Sequence, residues 1–416
     1  MAFQISPGVN TSEIDLTTVV PSVLTTAGAF VGAFNWGPAE KIKTINSELT
    51  LTKVFGKPSD STAVSFFSAA NFLAYGNNLK IVRVVGSTAN NATSSAHIQV
   101  KNEDVFEQTY LNVNNSNTYG PFIAKYAGSL GNSIDVSVCS SSAAFSTWTY
   151  KSYFTSAPGT STFADSVGGS HDEMHIVVVD ANGLITGSAG TVLETFPFVS
   201  KASDATVNGA SNYYKQVIFN NSNYVYAIDP VDYSNTHTTW GTTASGTTFY
   251  SPANQSVSLA NGTDTAPTDS DVQTGYDLFS NKDSVDVSLV VTGGASVTVQ
   301  QYVIDNISNS RKDCVTFISP RQSDVVNQVG SEADNITTWL TSLARSSSYV
   351  VSDSGWKYQF DKYNNVYRWI PLNGDIAGLC VVTDTVRDPW FSPAGFNRGQ
   401  IKNAIKPAWN PTKTDR

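Results

Sequence analysis

The first 22 residues carry few apolar side chains at no consistent spacing, and Pro7-Gly8 and Pro21 interrupt them. Such a stretch cannot anchor itself by burial and predicts an extended arm, available to pair with the sheet edge of another chain. From Val23 the pattern changes. The run TTAGAFVGAFNWGP is strand-like and closes at Gly37-Pro38. In SFFSAANFLAYG, Phe66, Ala69, Ala70, Leu73 and Ala74 recur at helical spacing up to Gly76. LKIVRVVG then reads as a buried strand from Leu79 to Val85. Strand, helix and strand in this order predict an α/β layer.

A second rhythm begins at Ser87. Short runs such as HIQV, YLNV and IDVSVC lie between Asn/Ser/Gly turns and predict a small all-β module over 87–165. From His171 come MHIVVVD with an Asn182-Gly183 turn, then ETFPFVS, QVIFN and NYVYAID. Residues 230–256 are rich in Thr, Ser and Asn and predict a long loop, so 166–258 reads as a second module, α/β or mixed. Past Leu259 the first rhythm returns. VDVSLVVTG, CVTFISP and SSYVVSD read as strands, ITTWLTSLARS and DIAGLCVVTDTVR as helices. SVTVQQYVIDNISN places Val299, Tyr302, Val303 and Ile307 on one helical face. The expected fold class is therefore α+β multidomain. An arm (1–22) precedes an α/β core in two parts (23–86 and 259–416), with the modules 87–165 and 166–258 inserted between them.

Composition narrows the function. Of 416 residues only 14% are charged, the net charge is −9, and no basic run occurs. A phosphate-binding surface needs clustered Lys and Arg, so nucleic acid is not an expected partner. Cys139, Cys314 and Cys380 lie far apart in apolar surroundings and read as free thiols in a reducing compartment. MAFQISPGVN has neither the basic start nor the apolar core of an export signal, and Val23 to Phe34 is too short to span a bilayer. The expectation is a soluble protein made in a cytoplasm, with no membrane insertion.

No reactive constellation emerges. His171-Asp-Glu-Met-His175 has Asp172 where a zinc peptidase needs Glu, and its strand-like continuation IVVVD puts the two imidazoles ~13 Å apart. Gly56-Lys57 is followed by Pro58, and position 51 is Leu where a phosphate loop needs Gly. There is no G-x-S-x-G elbow, and four His leave few general bases. Asp313 and Asp324 read as solvated loop charges. No catalytic, cofactor-binding or metal residue is expected, and the chain is not expected to be an enzyme. Trp356, Tyr358, Phe360, Tyr363, Tyr367 and Trp369 crowd one strand-like span, where core or subunit-interface packing is favoured over ligand stacking.

Several segments, in matching order, resemble one known family. SPGVNTSEIDLTTVVPS has a Ser-Pro-Gly-Val opening followed by Glu13 and Asp15. A Gly-x-x-x-x-Gly-Pro element follows at Gly32 to Pro38, then a turn at Phe55, Gly56 and Pro58. FLAYGNNLKIVRVV, LANGTDTAPTDSDVQTGYDLFSNKDSVDVSLVVTGG and DPWFSPAGFNRGQIKNAIKPAWNPTKTDR continue the likeness, which covers about half the chain. The family is the contractile bacteriophage tail sheath proteins of T-even-like phages, whose variable inserted domains would account for the unmatched middle. The resemblance implies a virion subunit, assembled in the host cytoplasm as stacked six-fold rings. Its partners would be the tail tube, baseplate and tail terminator proteins, and its contraction would drive the tube through the host envelope. It makes Ile5, Ser6, Pro7, Gly8, Val9 and Glu13 the expected subunit-exchange arm. Sheath proteins continue past the NPTKTDR-like segment into a tube-contacting domain, so the resemblance implies that this domain is absent and that the 416 residues alone are a monomer or small oligomer. A related injection particle (an R-type bacteriocin sheath) and a phage surface adhesin are the alternatives.

Overall fold

In the computed structural model, residues 26–113, 117–231, 239–396, 398–413 and 415 are described. The expected arm, with Ile5, Ser6, Pro7, Gly8, Val9 and Glu13, lies outside the described residues. The largest sheet has six strands in the order Val350–Ser352, Val315–Ile318, Leu289–Val291, Gly28–Gly32, Leu79–Arg83 and Ile42–Ile45. The first five are parallel and Ile42–Ile45 is antiparallel. Gly28 pairs with Leu289 on one side and Leu79 on the other, so strands distant in sequence alternate in the sheet.

Both faces of this sheet are covered, which is why its inner strands Gly28–Gly32 and Leu289–Val291 read as unbroken apolar runs. On one face Phe30, Ile81, Leu289 and Val291 meet Phe66, Phe72, Ala377 and Val381, from the helices Ala63–Leu73 and Asn373–Val386. On the other, Ala29, Val31, Val82 and Val290 meet Tyr276, Val299 and Val303, from Asp269–Asp277 and Val297–Val303. The latter helix continues through a π turn, Ile304–Ser308, that keeps Ile307 in the same core.

The family-like turn has a steric reason. Gly37 has φ +97° and Gly56 φ +77°, a region that favours glycine. A Cβ on Gly37 would sit 2.7 Å from the Val54 carbonyl oxygen. Trp36 N–H donates to the Phe55 carbonyl at 3.1 Å, holding the two turns together.

The middle of the chain departs from the expectation of a small all-β module over 87–165. HIQV forms only an isolated bridge, Asn91 to Ile98. YLNV follows a helix, Glu103–Thr109, whose Asn102 cap accepts from Val105 N–H. Its single buried aromatic, Phe106, stacks on Tyr226 at 3.9 Å, and tertiary packing thereby holds a polar segment helical. QVIFN lies inside a helix, Tyr214–Asn221. Sheet pairing also crosses residue 165: Ile134–Cys139 pairs with Glu173–Asp180 and Gln255–Ser258, and Phe122–Ala127 with Val225–Ala227. These sheets share one core that includes Val136, Val138, Ile176, Val178, Ile218 and Trp240. The chain enters and leaves this region through neighbouring segments. Gly86 N–H donates to the Thr265 carbonyl at 3.1 Å, and Asn90 pairs antiparallel with Thr263.

Candidate subunit interface

The hairpin Trp356–Asp361 and Val366–Pro371 carries most of the aromatic cluster. Its register pairs Tyr358 with Trp369 and Phe360 with Tyr367, so these four rings share one face. That face runs outward, with Phe360 44% and Tyr367 52% exposed. The ring centroids of Tyr358 and Trp369 are 4.8 Å apart, and those of Phe360 and Tyr367 5.2 Å. The other face, with Lys357, Gln359 and Asp361, turns inward and is buried. An antiparallel sheet with one wet face normally shows the opposite polarity.

Buried polar groups cost free energy unless partnered, and each inward side chain here has a partner. Lys357 Nζ lies 2.8 Å from Asp375 Oδ1, both side chains being 1% exposed, and also donates to the Lys402 carbonyl at 2.8 Å. Tyr75 donates its hydroxyl to Asp375 Oδ1 at 3.1 Å. Burial raises the Asp375 pKa against the pull of Lys357, and burial lowers that of Lys357. Asn71 donates to Gln359 at 2.9 Å. Burial alone would raise Asp361, but hydrogen bonds from Asn364 and Arg368 bring its carboxyl below the usual value.

A short strand, Lys406–Pro407, pairs with Lys357 and Tyr358 alone. Past it, Gln359 to Asp361 have no strand on that side among the described residues, and a cleft of about 480 Å³ opens against Phe67, Ala70 and Leu73. Lys406 places its ammonium 5.4 Å from the Tyr358 ring and 5.7 Å from that of Trp369. The outer strand of the main sheet, Val350–Ser352, likewise has one edge without a neighbour among the described residues.

His171 and His175 sit apart from this surface. His175 is buried in the strand Glu173–Asp180, stacked on Phe154 at 4.2 Å. Its Nδ1 accepts from Phe198 N–H, and its Nε2 lies 2.9 Å from the Ser156 carbonyl oxygen, so both ring nitrogens are engaged. Burial lowers its pKa. His171 is exposed at φ +60°. Among the described residues no three His, Cys, Asp or Glu side chains form a metal-holding group, and no helix is long and apolar enough to cross a membrane. Cys139 and Cys314 are buried free thiols and Cys380 is half-buried. Asp324 is paired with Arg321 at 3.0 Å and buried, so it is not the solvated loop charge expected.

Buried cations escaped the sequence reading, Arg83 and Lys201 among them. Arg83 interrupts the apolar run LKIVRVV and donates to the carbonyls of Phe34, Gly37 and Ala127 at 2.8, 2.8 and 2.6 Å. Lys201 donates to the Ser140 and His171 carbonyls and to Ser251 Oγ, and burial pulls its pKa down to about 7. The available signal was the charge itself, since a buried cation must find acceptors.

Residues 25–84 match the family model for the N-terminal region of domain III of the tail sheath protein Gp18. The chain is 28% identical to the tail sheath protein of Vibrio phage KVP40, over 96% of its own length and 76% of that protein's. It is 29% identical to the tail sheath protein of Enterobacteria phage T4, over 99% of its length and 78% of that protein's. Among solved structures, a sheath tail protein from Listeria innocua aligns with TM-score 0.49 at 12% identity, covering 94% of this chain, which spans 62% of the length of that protein.

Proposed function

We propose that this relative of the phage tail sheath proteins is itself a structural subunit of a contractile tail sheath, which polymerises around the tail tube and shortens to drive it through the host envelope. The observation that carries this reading is the hairpin of reversed polarity. Its polar side is satisfied inside the subunit, and its aromatic side is presented to solvent on a frame braced by helices on both sides of the sheet. Interfaces concentrate aromatics in this way, with cations at the rim. In this reading the segment with Ile5 to Val9 and Glu13, outside the described residues, adds as a strand to another copy, and Val350–Ser352 and Gln359 to Asp361 each offer an edge without a neighbour among the described residues. Strand addition holds by backbone hydrogen bonds, so connections persist while rigid subunits slide. Neither step calls for a cofactor or a reaction.

An early nonsense codon in the coding sequence tests this. Electron microscopy of the resulting lysates is expected to show bare tubes that neither contract nor infect, restored by the intact gene in trans. Normal contractile tails in the absence of the chain overturn the reading.

A further inference from the structure

The aromatic face lies within a basic neighbourhood. From 398 to 415 the sequence holds Arg398, Lys402, Lys406 and Lys413 against Asp415 alone. Among the described residues none of these four cations is in an ion pair, and three sit over aromatic rings: Lys402 on Tyr75, Lys406 on Tyr358 and Trp369, Arg398 on Phe391. This concentration is conspicuous in a chain whose net charge is −9.

The complementary charge is across the sheet. Asp269, Asp271, Asp277, Asp283 and Asp286 follow one another with Lys282 as the only cation between them. None of the five is in an ion pair among the described residues. Asp271 closes the capping box of the helix Asp269–Asp277, and Asp269 and Asp277 take hydroxyl donors from Ser296 and Tyr302. Leu278, 37% exposed, supplies an apolar contact beside them. The helix packs on the sheet face of Ala29 and Val31, whereas Ile370 of the hairpin packs on the Phe30 face. Successive residues of one strand point to opposite sides, so the two patches lie on opposite sides of the sheet.

We infer that copies of this chain meet head to tail, the aromatic and basic face of the 356–371 hairpin of one copy docking on the acidic 269–286 segment of the next. The inference rests on the sheath reading for its setting and adds the partner and the two surfaces. A symmetric pairing of like patches would set lysines against lysines or aspartates against aspartates. Meeting through unlike patches removes that repulsion and leaves a free patch at each end, which propagates an open polymer. The rings provide the desolvated centre and the charges the rim, so association also weakens with salt.

Copies with one introduced cysteine, the half-buried Cys380 replaced by Ser in each, test the contact in the purified chain at high concentration and in assembled tails. Under mild oxidation, a mixture of Tyr367→Cys and Asp277→Cys copies should cross-link at least about tenfold faster than either alone. Lys406→Glu with Lys413→Glu should abolish that difference while leaving the melting temperature unchanged. Asp271→Lys with Asp283→Lys in the other copy should restore it. Self-linking of Tyr367→Cys copies, a rate indifferent to charge reversal, or no mixed product in either setting overturns the inference. Sheath-coated tails without the mixed product refute this contact and leave the sheath reading standing. Tails that lack the chain altogether refute the sheath reading, and the cross-link in solution still decides the contact.

Discussion

Arg83 donates to the Ala127 carbonyl at 2.6 Å, joining the strand Leu79–Arg83 of the six-stranded sheet to the strand Phe122–Ala127 of the middle region. The same guanidinium holds Phe34 and Gly37 at the turn that ends the first strand. One buried cation thus fixes three backbone segments. Burial of this kind pulls its pKa down to about 10, so it stays charged through the physiological range.

Arg83→Met should therefore cost about 3 kcal/mol or more, because three carbonyls lose a charged donor in a site closed to water. Urea denaturation gives the magnitude. Amide exchange should quicken first at 86–93 and 122–130, the segments released from the frame. A loss below about 1 kcal/mol would show that water replaces the guanidinium.

The Lys357–Asp375 pair makes a second, sharper test. Lys357→Met leaves a carboxylate buried without its cation, expected to cost about 3–5 kcal/mol. Lys357→Met combined with Asp375→Leu should cost far less than either single change, since no charge is then left uncompensated. Denaturation midpoints of the four proteins give the coupling directly.

Asp353 predicts a pH dependence. Burial of its carboxyl, with the Asp375 charge adding to it, pushes its pKa up to about 7, although Ser319 and Gly355 donate to it. The folded state therefore holds the proton more tightly than the unfolded chain. The resulting stability is fully present below the ordinary carboxylate range and is lost as pH rises through about 7. Asp353→Asn should remove this component, so its melting temperature relative to the native chain should rise between pH 5 and pH 8. A constant difference across that range would place the titration elsewhere.

For the proposed arm, which lies outside the described residues, Ile5→Pro with Val9→Pro takes away two backbone N–H groups that strand addition would need. The melting temperature of the chain should not move, while sheath assembly in infected cells should fail or become fragile. Normal assembly and contraction by this variant would mean that the subunits are joined some other way.

Local pattern was enough for much of the frame. SFFSAANFLAYG became the helix Ala63–Leu73, and DIAGLCVVTDTVR the helix Asn373–Val386. Pairing was not legible, because apolar alternation says that a strand has a buried face without saying which strand lies beside it. Ile134–Cys139 and Glu173–Asp180 therefore looked like members of separate modules. EDVFEQT hid its helix because only Phe106 is buried in it. In the hairpin the alternation itself was visible, but a rule that turns aromatics inward has the wrong sign there. Only the partners of Lys357 and Gln359 reveal which side faces the subunit.

The antiparallel contact of Gly86 and Asn90 with Thr265 and Thr263 brings both ends of the middle region to one seam. Whatever is threaded between them begins and finishes a few ångströms apart, and the closure entropy of a longer excursion grows only logarithmically with its length. Material can accordingly be enlarged or grafted there with little change to the sheet below, provided the Ala127 carbonyl that Arg83 holds is kept. The seam is a socket, and a foreign domain with adjacent termini could be carried there in many copies on one particle.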